Sequence, residues 1–218
     1  MPRNKHPEET IQKILDESLK LFLEKGYEQT TVLDIVSNLG GLTRGAFYHH
    51  FKTKEDVLNA LLEKYFKENA PFERVKHEDG LNGLGKITKA MNNMLTVEKN
   101  VGITKTAQAL LSVSNPRFLA NLLQSNREVA PVLQSLIEEG MEDGSIRPGD
   151  AKLLSELFIL LVHFWPFPTI FPGTKTDFEG KVIIIKQILD SLGLPCLDEG
   201  FMKKREIWAE LLNITSEV

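Results

Sequence analysis

Between Leu42 and Leu58 the chain reads LTRGAFYHHFKTKEDVL, a run of side chains suited to meeting a polyanion. Arg44, His49, His50, Lys52 and Lys54 supply donors, Tyr48 supplies a phenol, and no acid stands between Asp34 and Glu55. Arg44 carries a planar fork that matches N7 and O6 of guanine, which makes it the candidate for base reading. His49 is a candidate for a base or phosphate contact. Gly45 has no side chain and lets a nucleic-acid surface come close to the backbone. Thr43 precedes Arg44-Gly45-Ala46-Phe47 and Thr53 precedes Lys54-Glu55-Asp56-Val57, so two helix starts frame the segment. A short basic helix, entered through a glycine-containing turn, is the form in which a chain enters a DNA groove.

The preceding elements must aim that helix. Pro7 suits a first helical position, with Glu8 and Glu9 at the positive end of the helix dipole. Ile11, Ile14, Leu15, Ser18, Leu21 and Phe22 then fall on one face. Gly26 is a left-handed stop. Thr31 caps a second helix whose inner face is Val32, Ile35, Val36 and Leu39, and Gly40-Gly41 ends it. The third helix spans about Thr43 to His50, with Leu42, Ala46 and Phe47 inward and Phe51 just beyond. That leaves Arg44, Gly45, Tyr48 and His49 outward, with His50 a packing or rim residue. Thr53 and Asp56 form a capping box in which Asp replaces the usual Glu or Gln. A fourth helix buries Val57, Leu58, Leu61, Leu62 and Tyr65.

The ordered set Phe22, Gly26-Tyr27, Thr30-Thr31-Val32, Asp34-Ile35, Thr43 through Phe51, Lys54-Glu55 and Leu58 resembles the TetR family of bacterial transcriptional regulators. The chain has one more residue than that pattern between Asp34 and the cap of the third helix, at Leu39-Gly40-Gly41-Leu42, which lengthens the inter-helix turn. The resemblance implies an all-α fold: a three-helix N-terminal helix-turn-helix DNA-binding domain over residues 1–66, joined to a C-terminal helical ligand-binding and dimerisation domain over residues 67–218. It also implies that Tyr48 and Lys54 touch phosphates, and that Thr31 and Thr43 do so from helix starts. The function implied is that of a regulator, a repressor, released from a near-palindromic operator on double-stranded DNA by a small, largely apolar inducer. A homodimer would place two reading helices one turn of DNA apart, about 34–36 Å, or a multiple of that.

Downstream of residue 66 the chain reads as five or six more helices. Pro71 and the polar stretch Arg74 to Gly80 are expected to mark a joint between the N-terminal domain and the rest. Breaks are expected near Gly102, at Asn115-Pro116, from Asp143-Gly144 to Pro148-Gly149, at Phe171-Pro172-Gly173 and at Gly193-Leu194-Pro195. The segment Gly140 to Arg147 is similar to the turn before the dimerising helices of the family. The dimer helices are expected at about Ala151 to Val162 and Asp177 to Leu192; core packing within one chain is the alternative for both. Candidate walls of the inducer pocket are Met91, Met94, Phe118, His163, Phe164, Trp165 and Phe167, with Pro166 and Pro168 kinking the helix beside them. Plain core packing is the alternative for each.

Composition narrows the remaining classes. The 218 residues are 26% charged and 42% hydrophobic, with a net charge of −4, ordinary for a globular protein. A DNA-binding face in such a chain must be local, and basic groups gather at Arg3 and Lys5 and again at Arg44, Lys52 and Lys54. Cys196 is the only cysteine, so no internal disulfide or multi-cysteine zinc site can form, which fits a cytoplasmic setting. MPRNKHPEET has no apolar core and does not read as a signal peptide, and the apolar run Leu157 to Phe171 is too short and too interrupted for a membrane span. His6, His49, His50, His77 and His163 have no metal-ligand spacing, and no cofactor is implied. Gly80-Leu-Asn-Gly83-Leu-Gly85 follows no strand and lacks the lysine-serine pair of a phosphate loop. Two other classes stay open from sequence: a family member whose C-terminal domain binds a protein partner, and a helical enzyme without a recognisable motif.

Overall fold

The computed structural model describes residues 7–41, 43–68, 70–95, 116–167, 170–211 and 214, and their regular structure is entirely helical. Leu42, Pro168 and the expected breaks at Gly102 and Asn115 lie outside them, as do Arg3, Lys5 and His6. Two compact units result. The first contains α1 to α4; the second contains α5, α6, α7 from Leu122 onward, and α8 to α11.

In the first unit α1 spans Pro7–Lys25 and buries Thr10, Ile14, Leu15, Ser18, Leu21 and Phe22, one stripe at helical spacing. Gly26 ends it at φ 84°, its N–H donating to the Phe22 carbonyl. α2 is Val32–Asn38, α3 is Arg44–His50 and α4 is Lys54–Glu68. The turn between α2 and α3 takes two consecutive left-handed residues, Gly40 at φ 58° and Gly41 at φ 102°, a path side-chain-bearing residues rarely follow. Ile35, Leu39, Phe47, Phe51, Val57, Leu58, Leu61 and Leu62 complete the core.

In the second unit Pro71 and the start of the stretch expected to be a joint lie in a short helix, α5, Pro71–Lys76, and residues 77–80 form the turn after it. Pro71 stands at its start and Phe72 and Val75 are buried one turn apart, so two apolar residues dock a polar segment. α6 is Gly83–Met94 and α7 is Pro116–Glu142, a helix with Pro131 inside it. The glycine run before α6 has a packing role: Gly80 turns at φ 81°, and a Cβ on Gly83 would collide with the backbone of Gly140 on α7. The N-terminal amides of α6 are met by the turn after α7, Gly83 N–H by Asp143 Oδ2 at 2.7 Å and Leu84 N–H by Ser145 Oγ at 3.2 Å. Lys86, nearly buried, pairs with Glu139 across the same crossing at 2.7 Å.

α8, Ala151–Ile159, is capped by Asp150 and runs into a wide π-turn at Leu160–Phe164, closed by the Trp165 N–H on the Leu160 carbonyl at 3.1 Å. Pro166 explains the widening. It has no donor for the Val162 carbonyl, and its ring crowds a regular α-turn. α9 is Lys175–Ser191, opened by a Thr174/Asp177 capping box. α10, Glu199–Lys203, and α11, Arg205–Leu211, follow, with Trp208 edge-on to Phe178 and Phe201 at 5.3 and 5.5 Å. Among the described residues no helix is long and apolar enough to cross a membrane.

The α6–α7 crossing gives a direct test. Gly83→Ala must displace backbone, so it is expected to lower unfolding stability by about 1–3 kcal/mol, read as a lower denaturant midpoint at unchanged slope. An unchanged midpoint would mean that the helices can part at no cost.

Candidate nucleic-acid interface

α3 has seven residues, too few to persist alone, and it is held at both ends and in the middle. Thr43 Oγ1 accepts from the Ala46 N–H at 3.2 Å, the Phe51 N–H donates to the Phe47 carbonyl at 2.9 Å, and Phe47 is fully buried. The opposite face is left to solvent. Thr43, Arg44, Gly45, Tyr48 and His49 are all exposed. Thus five of the residues expected to meet DNA share one surface. Arg44 lies 5.5 Å from the Tyr48 ring centre, a cation–π contact that keeps the guanidinium beside the phenol. A Cβ on Gly45 would meet nothing closer than Thr43 Oγ1 at 3.7 Å, so nothing within the first unit requires a glycine there. His50 faces the other way. Its Nε2 is buried without a partner, and burial together with His49 lowers its pKa.

Thr31 and Lys54 are also placed, with other engagements. Thr31 caps α2, and its hydroxyl donates to Asp34 Oδ2 at 2.6 Å while its N–H reaches the same oxygen at 2.7 Å. Lys25 adds its ammonium to that oxygen at 2.8 Å. Lys25 and then Thr31 hold the Asp34 carboxyl well below the usual carboxylate range. Lys54, at the start of α4, turns back to donate to the Tyr27 carbonyl at 2.6 Å and lies 4.2 Å from the Tyr27 ring centre. Sequence spacing gives no sign of this tie, which fastens the turn after α1 to the first residue of α4. Thr53 and Asp56 exchange the two bonds of the expected box, at 3.1 and 2.9 Å, and Asp56 also accepts from the Lys52 N–H at 3.0 Å.

The residues expected to line a pocket lie in the second unit. Met91 is buried, and Met94, His163, Phe164, Trp165 and Phe167 are partly exposed. Phe118 stands on α7, but its side chain falls outside the described residues. Sequence reasoning missed Asn126, whose buried amide meets His163 at 2.6 Å. Its position 37 residues away left no local signal. Packing around the His163 ring pushes its pKa down to about 4, leaving it neutral at pH 7. Cys196 is buried and its thiol is pushed up to about 12, so it is no nucleophile.

Comparison with known proteins agrees with this geometry. Residues 14–61 match the model of bacterial regulatory proteins of the tetR family. The HTH-type transcriptional regulator YhgD of Bacillus subtilis is 26% identical over 157 residues, covering 70% of this chain and 82% of that protein. The HTH-type transcriptional repressor KstR2 of Rhodococcus jostii is 28% identical over 140 residues, covering 62% of this chain and 66% of the other. The fold is also that of SmeT of Stenotrophomonas maltophilia in its triclosan complex, with a TM-score of 0.59 at 23% identity over 84% of this chain and 91% of that one. With its capped, outward-facing third helix, the match across residues 14–61 and the fold it shares with known regulators, this chain belongs to the TetR family of bacterial transcriptional regulators.

Proposed function

We propose that the protein is a homodimeric repressor that reads a near-palindromic operator through α3 and releases it when a small, largely apolar inducer binds the second unit. The observation that carries the DNA reading is the exposed set Thr43, Arg44, Gly45, Tyr48 and His49 on a helix whose one large apolar side chain, Phe47, is fully buried. In this reading Arg44 pairs with a guanine edge, His49 contacts a base or phosphate, and Thr43 and Tyr48 contact phosphates. Gly45 admits the backbone to the groove. Thr31 reaches phosphate only by releasing its hydroxyl from Asp34, and Lys54 only through a proton not used on Tyr27 and Glu28.

Dimerisation is supported by exposed apolar side chains on the two helices expected to carry it. Leu153 and Leu160 stand at 58% and 57% exposure on α8 and its π-turn, and Ile183 and Ile184 at 46% and 45% on α9. Their inner faces are already used, by Leu154 and Phe158 and by Phe178, Val182, Ile185 and Leu189. Inducer control is supported by the fold shared with SmeT, which has been captured with triclosan. The mechanism is a population shift, in which an inducer weakens operator binding by its differential affinity for two states of the dimer.

Selection from a random duplex library at moderate salt tests the whole reading: enrichment of a near-palindrome is expected, and salt-sensitive binding without enrichment would sink it. On the selected operator, Arg44→Ala is expected to cost about 1–3 kcal/mol and relax preference at one base position. Gly45→Ala is expected to hold or raise stability, by up to about 1 kcal/mol, while operator affinity falls; equal operator affinity would remove Gly45 from the interface. Lys54→Ala is expected to lower stability by about 1–2 kcal/mol and to reduce the slope of log K against log salt by about one phosphate's worth. An unchanged slope with lowered stability would make Lys54 a strut alone. The double variant Leu160→Glu, Ile184→Glu is expected to sediment as a monomer with the unfolding stability of each chain within about 0.5 kcal/mol; a persistent dimer would place the interface elsewhere.

A further inference from the structure

The second unit holds a polar pair that its caps and turns do not use. Asn126 on α7 is 7% exposed. Its Oδ1 lies 2.6 Å from His163 Nδ1, and its Nδ2 is buried with no hydrogen-bond partner. An amide oxygen can only accept, so with Oδ1 on the His163 side the shared proton is carried by Nδ1. The amide nitrogen is thereby turned away with its protons unused. Buried donors are almost always paired, so a donor held in this state by a neighbour calls for an acceptor from outside the chain.

Both helices that supply the pair have a break in their regular hydrogen bonding. His163 lies in the wide π-turn Leu160–Phe164, a distortion that recurs at functional sites. Pro131 removes from α7 the N–H that would meet the Arg127 carbonyl, next to Asn126 in sequence. Burial lowers the His163 pKa far enough that neither member of the pair is charged at pH 7. Such a pair offers a dipole and no counter-ion, and a carboxylate placed against it would lose its hydration without compensation.

We propose that Asn126 is the polar anchor of a small-molecule site in the second unit, donating from Nδ2 to a ketone, ether or hydroxyl oxygen of a neutral, otherwise apolar ligand. His163 is its positioning residue, fixing which end of the amide is offered. The proposal rests on reading the second unit as ligand-responsive, and it names the ligand class.

Calorimetric titration of the full chain with 2-acetonaphthalene, its isostere 2-isopropenylnaphthalene, and 2-naphthoate tests it. The ketone is expected to bind about five- to tenfold more tightly than the alkene, and the naphthoate more weakly than either. Asn126→Leu is expected to bring the ketone-to-alkene ratio to about one, as one lost hydrogen bond predicts, with isopropenylnaphthalene binding retained. His163→Phe is expected to narrow the ratio and His163→Gln, which keeps a donor, to restore it. That pair decides the matter should the leucine variant fail to fold. Equal binding of ketone and isostere, a ketone preference that survives Asn126→Leu, or no binding by any of the three overturns the proposal. Operator affinity is measured separately: ketone-selective binding that leaves operator affinity unchanged upholds the anchor and removes inducer control.

Discussion

The helix proposed to read DNA is too short to be stable by itself, and that constraint organises the first unit. Seven residues close too few hydrogen bonds to offset nucleation, so α3 exists only as far as its surroundings hold it. Phe47 is its anchor, Thr43 and Phe51 finish its ends, and Gly40-Gly41 delivers the chain to it along a path only glycine follows readily. Because the inward positions are committed to packing and Thr43 to the cap, the fold does not rest on the exposed side chains of Arg44, Tyr48 and His49. Such a surface can be matched to an external one without loss of fold.

The electrostatics are equally local. A chain of net charge −4 gains nothing from its overall field when it approaches DNA. What matters is that the one acid of α2, Asp34, has its negative charge met by Lys25 and two donors of Thr31. Asp56 is likewise occupied by the amides of Lys52 and Thr53. Asp34 and Asp56, on either side of α3, are thus spent on closing helix starts, and the run from Ile35 to Lys54 between them carries no acid.

The sequence made this unit legible because its signals are short-range. The buried stripe of α1, the glycine stop at Gly26, the Thr31 cap and the Thr53/Asp56 box each lie within a few turns of chain. α5 was hidden because its six residues carry only two buried apolar side chains, Phe72 and Val75, too few to show a period against Arg74 and Lys76. Long-range features were hidden for another reason. The return of Lys54 to Tyr27, the backbone contact of Gly83 with Gly140 and the pairing of Asn126 with His163 join residues whose types fit many roles, and only the folded path selects one. The candidate pocket residues were legible as apolar and flexible, but Asn126, the donor proposed to stand among them, was not.

Cys196 has a consequence of a different kind. The chain's only thiol is fully buried beside the turn that ends α9, and its ionisation is suppressed. A maleimide or disulfide reagent can therefore reach it only when the second unit opens. The natural protein carries its own clock for local unfolding, read as the rate at which one sulfur becomes reactive. For the same reason, a cysteine introduced on the exposed face of α3 could be labelled alone, with no need to remove the native one.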